Sequence, residues 1–273
     1  MKIIFFGDIV GKPGRQALAK ILPGLKKELN ADLVIANIEN LAHGKGVTLS
    51  TVQELCDAGV DFFTSGNHIF RKPEYTKVFE QFGEKIIRPA NFAPEFPGDG
   101  YKVLEIKGVR VMIANLLGEV FMEKQVDQGP LTSPFHKLNE ILGELDADVK
   151  VKLLDFHAEA TSEKRSMGFW ADGRLSAVVG THTHVPTADA QILPGGTGYV
   201  TDLGMTGAAL SVIGVKSESA LARFQEHDLE GKKVTLEIPE DVNKYEVSYT
   251  LLEIDEATGK CQNIVSKSIM NYE

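Results

Sequence analysis

Residues 2–8, KIIFFGD, and residues 32–40, DLVIANIEN, each run through an apolar, β-rich stretch and then turn abruptly polar, with a helical pattern between them from Arg15 to about Asn30. Strand, helix, strand in that order is a βαβ unit, whose right-handed crossover makes the two strands parallel neighbours. Working outward, the same design recurs in DFFTSGNH (61–68), KLLDFH (152–157) and AVVGTHTH (177–184). A buried strand that empties into a polar loop is where open α/β sheets place their sites. One such end would mean little, because turns favour Asn, Asp and Gly for backbone reasons alone. These five deliver Asp8, Glu39, Asn40, Asn67, His68, His157, His182 and His184, a set rich in imidazole and carboxylate.

The rest of the chain completes the architecture. Helices are predicted over Leu49 to Ala58, around Pro73 to Phe82, where Pro73 suits a first turn, and over Ser133 to Leu145, whose Phe135, Leu138, Ile141, Leu142 and Leu145 recur at helical spacing. Tyr101 to Ile106 and Val109 to Asn115 read as a hairpin about Lys107-Gly108. Further β-rich runs occupy Val234 to Ile238, Tyr245 to Asp255 and Gln262 to Ile269. They predict a second, largely antiparallel sheet, and hence a four-layer α/β/β/α sandwich with a metal site at the C-terminal ends of its strands. No linker-like run divides residues 1–273, which are read as a single domain.

Composition narrows the function. The 273 residues carry a formal charge of -9, which argues against sequence-independent binding to long nucleic acid, a task that needs a basic footprint. A bound metal pair would reverse that sign locally and leave small phosphorylated ligands possible. The start reads as a core strand, since Asp8 interrupts the apolar run, and no stretch approaches the roughly 20 apolar residues that span a bilayer. Cys56 and Cys261 form no spaced motif and read as free thiols in a reducing cytoplasm.

Divalent metals of intermediate hardness accept imidazole and carboxylate together, and a bridging carboxylate holds two ions about 3.5–4 Å apart. Singly, each residue has a plainer reading: Asp8 as a helix cap, Glu39-Asn40 as a turn, Asn67 as a loop closure, His157 as a core histidine. Jointly they supply enough donors for two ions. His182 and His184 would share one face of an extended strand, whereas a turn would let them diverge onto different metals.

Longer motifs sharpen this. GD (7–8), NIEN (37–40), GNH (66–68), FHAEATSEK (156–164), DGR (172–174), GTHTHVPTAD (180–189) and TDLGMTG (201–207) together resemble the YmdB-like bacterial metallophosphoesterases, a branch of the calcineurin-like phosphoesterase superfamily. The resemblance spans essentially the whole chain. It implies that Asp8, Glu39, Asn40 and His184 hold one metal, that Glu39, Asn67, His157 and His182 hold the other, and that His68 donates a proton to the leaving oxygen. It also implies iron, with manganese or another transition metal as the alternative, a cyclic nucleotide (2′,3′ or 3′,5′) as substrate, and a homo-oligomer. The wider superfamily opens with Asp-x-His and bridges with Asp; here Val10 stands two after Asp8 and Glu39 bridges, so Asn40 fills the missing position.

Two competing functions stand beside the phosphodiesterase: a phosphomonoesterase such as a nucleotidase, and a nucleotide-binding scaffold with little catalysis. Weaker features remain. Gly11 and Gly14 read as turn residues before a helix whose N–H groups could receive phosphate. His43-Gly44-Lys45-Gly46 could touch substrate or be a plain loop. Thr161, Ser162, Lys164 and Arg165 could present a cation to phosphate or to solvent, and His136 and His227 read as surface residues.

Overall fold

The computed structural model describes residues 1–122, 124–126, 129–226 and 235–273. In chain order the first βα repeats are β1 (Lys2–Ile9), α1 (Gly11–Leu29), β2 (Leu33–Asn37), α2 (Leu49–Ala58), β3 (Phe62–Thr64) and α3 (Tyr75–Phe82). There follow β4 (Tyr101–Ile106), β5 (Val109–Leu117), α4 (Pro134–Glu144), β6 (Val151–His157), α5 (Thr161–Ala171), β7 (Ala177–Thr181), β8 (Gln191–Ile192) and β9 (Gly198–Val200). The chain then returns through β10 (Met205–Ala208), α6 (Ser217–Glu226), β11 (Tyr245–Ile254) and β12 (Cys261–Asn271).

Local chemistry sets the boundaries. Thr48 and Thr51 cap α2 reciprocally, each hydroxyl accepting the other's backbone N–H, and Gly59 ends that helix in the left-handed region. Asn30 ends α1 in the same conformation. Pro73 falls in the turn before α3, which begins at Tyr75.

Two six-stranded sheets result, ordered β12-β11-β10-β1-β2-β3 and β4-β5-β6-β7-β9-β8. Strand periodicity places them face to face. On β1, Ile3 and Phe5 point into a core shared with Val111, Ile113, Val151, Leu153 and Val179 of the other sheet, while Ile4 and Phe6 point to Leu18, Leu22 and Val52 of α1 and α2. On the far side, Met112, Leu154 and Phe156 pack against Leu138 and Ile141 of α4 and Met167 of α5. Helices, sheet, sheet, helices is the expected four-layer sandwich.

The second sheet corrects the antiparallel expectation. β5, β6, β7 and β9 run parallel, and only the edge strands β4 and β8 are antiparallel. The reason is that KLLDFH and AVVGT are themselves joined through α5, a further crossover, so the β4–β5 hairpin supplies only an edge. The C-terminal hairpin, β11 and β12, joins the first sheet instead, with β11 antiparallel to β1. Of the run Val234 to Ile238, residues 235–238 are not in a strand and Val234 lies outside the described residues. Ile238 turns inward, where a Cβ on Gly11 or Gly44 would stand 2.9 or 2.6 Å from its side chain.

The inter-sheet face changes character toward the strand ends. Leu33 and Ile35 lead to Asn37 on β2, Phe62 to Thr64 on β3, Val151 and Leu153 to Asp155 and His157 on β6, and Ala177 and Val179 to Thr181 on β7. Period 2 therefore carries an apolar core into a buried polar layer at the C-terminal ends of both sheets.

Candidate metal centre

Each expected site residue stands directly above that polar layer. Asp8 sits near the end of β1, where the register against β2 shifts between Phe6 and Asp8. Glu39 and Asn40 follow β2, Asn67 and His68 follow β3, His157 ends β6, and His182 and His184 follow β7. Asp8, Glu39, Asn40, Asn67 and His157 are buried, and His68, His182 and His184 are partly buried.

The structure sorts them into two clusters. In one, the Asn40 amide nitrogen lies 3.2 Å from Asp8 Oδ1, 3.1 Å from Glu39 Oε1 and 3.2 Å from His184 Nε2. An amide flip would place its oxygen there, as a metal ligand requires. In the other, His157 Nε2 lies 3.3 Å from Glu39 Oε1, 3.0 Å from Asn67 Oδ1 and 3.1 Å from His182 Nδ1. Glu39 belongs to both. Asn67 is oriented by its amide N–H, which donates to the Gln125 carbonyl at 3.2 Å. His68 belongs to neither cluster: its backbone N–H donates to Glu39 Oε2 at 2.7 Å, and its ring faces the adjoining cavity.

Hydrogen bonding on the outer side of each imidazole tests whether the clusters suit a cation. His184 Nδ1 faces the Ile213 carbonyl at 2.9 Å and His182 Nε2 faces Glu159 Oε2 at 2.9 Å; both partners only accept, so both nitrogens carry the proton. The inner nitrogens of these rings therefore face the site, where they can offer lone pairs once the rings are neutral. They converge there with the Asp8 and Glu39 carboxylates and the Asn67 amide oxygen. Glu39, His157 and His182 each offer a ligand atom within 4.8 Å of the others. A Cβ at Gly66 would stand 2.4 Å from both Glu39 Oε2 and His157 Nε2, so the glycine of GNH keeps that space open. The residues fit a bound metal pair.

Ionisation reflects the same demand for positive charge. Burial opposes the charged form of His184, but Asp8 beside it lifts its pKa to about 9. Burial likewise disfavours the Asp8 and Glu39 carboxylates, and the neighbouring imidazoles, His184 for Asp8 and His157 for Glu39, nonetheless hold both below their ordinary values. The hydrogen bond from His182 lowers Glu159 to about 2. Burial, against the pull of Glu39, lowers His68, with Lys45 and Arg71 adding to the effect.

The THTH segment makes the turn that divergence requires. His182 and His184 both have left-handed backbones, with φ of 97° and 66°, unusual for residues with a Cβ. Between them, Thr183 donates its amide and hydroxyl to Asp202 Oδ2 at 3.1 and 2.7 Å. The same oxygen accepts from Lys164 Nζ at 2.6 Å. Lys164 thus faces neither phosphate nor solvent: it is buried and its ammonium is paired with Asp202. Arg165 instead pairs with Asp189 and lies over the Phe169 and Tyr199 rings, while Thr161 and Ser162 are exposed at the start of α5. Gly14 is inside α1 and not in a turn, since its Cβ would meet the Thr206 carbonyl at 2.2 Å. His136 is exposed, and His227 lies outside the described residues.

Sequence reasoning missed the supporting groups. Glu159 and Asp202 lie within FHAEATSEK and TDLGMTG, motifs that do not mark their partners, and Ile213 and Gln125 have no local signature. Asp155 did have one, a carboxylate inside an apolar strand and two residues before His157. The cavity over the centre has a volume of about 500 Å³; Lys45, Arg71, Lys124 and Arg223 line it, with Gly44 of the His43 to Gly46 loop and an apolar side that includes Ile213 and Ile238. Among the described residues no helix is long and apolar enough to cross a membrane.

Known proteins share this arrangement of chain. The family described as YmdB-like protein matches residues 4–266. A Bacillus subtilis relative, a 2′,3′-cyclic-nucleotide 2′-phosphodiesterase, is 39% identical over 264 residues, which cover 97% of this chain and 95% of that one. A crystal structure of a novel phosphatase from Mycoplasma pneumoniae superposes with a TM-score of 0.87 at 35% identity, covering 99% of this chain and 94% of the other. The calcineurin-like phosphoesterase YfkN of Bacillus subtilis shares the fold, with a TM-score of 0.53 at 12% identity over 99% and 90% of the two chains.

Proposed function

The chain belongs to the YmdB-like protein family, and from that premise we propose that it is a phosphodiesterase hydrolysing 2′,3′- and 3′,5′-cyclic nucleotide monophosphates at a two-metal centre. The observation that carries the reading is the pair of donor clusters sharing Glu39. Asp8, Glu39, Asn40 and His184 would hold one ion, and Glu39, Asn67, His157 and His182 the other. The mixed oxygen and imidazole set suits iron, with manganese the alternative. When bound, such a pair supplies Lewis acidity toward phosphoryl oxygens and acidifies water to near neutrality.

The chain's own side chains do the rest. Lys45, Arg71, Lys124 and Arg223 line the cavity where a phosphate would sit, and concentrate positive charge in a protein of net charge -9. The apolar side of the cavity offers a surface for a nucleobase. His68, next to Asn67 and anchored through its amide to Glu39, lines the cavity and would give a proton to the leaving oxygen. The Mycoplasma relative's description as a phosphatase supports a second reading, phosphomonoester hydrolysis.

Steady-state hydrolysis of 2′,3′- and 3′,5′-cyclic AMP by anaerobically metal-loaded protein separates these readings, with Asn67→Ala prepared identically. Turnover lost in the variant supports the diesterase and ranks the isomers. Turnover of AMP alone would select the phosphomonoesterase, and no turnover of either with two ions bound would refute both.

A further inference from the structure

Asp155 is fully buried on β6 and contacts no expected ligand, yet three polar groups from both sheets converge on it. Its Oδ1 accepts from the Thr181 hydroxyl at 2.6 Å, and its Oδ2 accepts from the Thr64 hydroxyl and from Asn37 Nδ2, the latter at 3.0 Å. Thr181 Oγ1 is in turn 2.9 Å from His157 Nδ1. We propose that Asp155 is a positioning residue for the metal centre, acting through Thr181 to fix which nitrogen of His157 carries the proton.

The argument is a count of hydrogens. A carboxylate only accepts, so the single Thr181 proton goes to Asp155 and a hydroxyl lone pair is left facing His157. His157 Nδ1 must then be the N–H, and Nε2 presents its lone pair to Glu39, Asn67 and His182. One neighbour points the other way: Asn37 Nδ2 lies 3.4 Å from His157 Nδ1 and would favour a lone pair there. Its two hydrogens are already committed to shorter contacts, the Ser65 carbonyl at 2.9 Å and Asp155 at 3.0 Å. All three groups that face the Asp155 side chain donate to it, the surroundings that a carboxylate requires. The other two imidazoles take their orientation from a carbonyl and a carboxylate directly; His157, buried among strands, takes it through a hydroxyl. Partners of this kind tune metal affinity about 10–100-fold.

The inference rests on the two-metal reading, but its decisive test needs no metal. In Asp155→Asn the amide oxygen is expected to turn toward the two donors Thr64 and Asn37. That puts an N–H against Thr181, whose hydroxyl must then donate to His157 Nδ1. Long-range ¹H–¹⁵N spectra of histidine-labelled, chelated protein are expected to show His157 protonated on Nδ1 in the native chain and on Nε2 in the variant. Manganese titration of the same samples is expected to show a loss of about 10–100-fold for one of two ions in Asp155→Asn and Thr181→Val, with recovery in Thr181→Ser. An unchanged tautomer in Asp155→Asn would overturn the proposal, as would a Thr181→Ser protein as impaired as Thr181→Val. A native protein that binds fewer than two ions would refute the two-metal reading instead, and the tautomer spectra would still decide the relay.

Discussion

Lys164 and Asp202 form an ion pair, 2.6 Å from Nζ to Oδ2, in which both side chains are almost wholly removed from solvent. The pair sits beneath the turn that carries His182 and His184, and Asp202 uses the same oxygen to hold Thr183 between them. Two strained backbones are kept in place by one carboxylate, and that carboxylate is paired with one lysine.

Replacing Lys164 by Met should therefore destabilise the protein by about 3–5 kcal/mol, the usual cost of leaving a buried charge unpaired. Urea unfolding measures this. A loss under about 1 kcal/mol would mean that Asp202 is satisfied by its amide and hydroxyl donors alone.

Metal removal should lower stability as well as activity. The proposed oxygen donors stand at the end of β1 and on the loops after β2 and β3, and the imidazoles at the end of β6 and on the loop after β7, so bound ions would tie the sheets together. At ion concentrations about 1,000 times the dissociation constant the linkage amounts to about 4 kcal/mol. Thermal unfolding with and without a chelator reads it, and Glu39→Gln should abolish most of the difference. Identical melting curves for the native chain in both conditions would count against a centre built from these residues.

His68→Ala should retain both metals while losing about 10²–10⁴-fold in turnover of cyclic nucleotides, whose alkoxide leaving group needs a proton. Bis-nitrophenyl phosphate, whose leaving group needs none, should be affected far less. Equal losses on the two substrates would remove His68 from the donor role.

Both cysteines should resist thiol reagents. Burial raises the Cys261 thiol to about 11 and lifts Cys56 above its ordinary value. A raised pKa leaves the neutral thiol dominant, so at pH 8 only about one Cys261 in a thousand is thiolate. Labelling of the folded protein should be slow at pH 8 and accelerate as pH rises toward the thiol pKa. Rapid modification of both thiols at pH 7 would contradict this burial.

The strand ends were legible in the sequence because a period-2 apolar run and the polar residue that terminates it are adjacent in the chain. KIIFFGD announces both β1 and Asp8. Sheet membership was less legible: the β4–β5 hairpin is local and readable as one, but which sheet a β-rich run joins depends on crossovers far away, and β11 and β12 belong to the first sheet. Lys164 shows the same limit at a single side chain, since its partner Asp202 lies 38 residues on. Residues 235–238 show it again: an apolar run does not reveal whether it will find a ladder or seat one isoleucine against two glycines.

The donors are also ordered along the chain by chemical type. Every proposed oxygen donor, Asp8, Glu39, Asn40 and Asn67, precedes residue 68, and every proposed nitrogen donor, His157, His182 and His184, follows residue 156. During synthesis on the ribosome these oxygen donors emerge long before the imidazoles that complete the set. A chain that stops short of β6 and β7 would carry the oxygen side of each proposed cluster and none of its imidazoles.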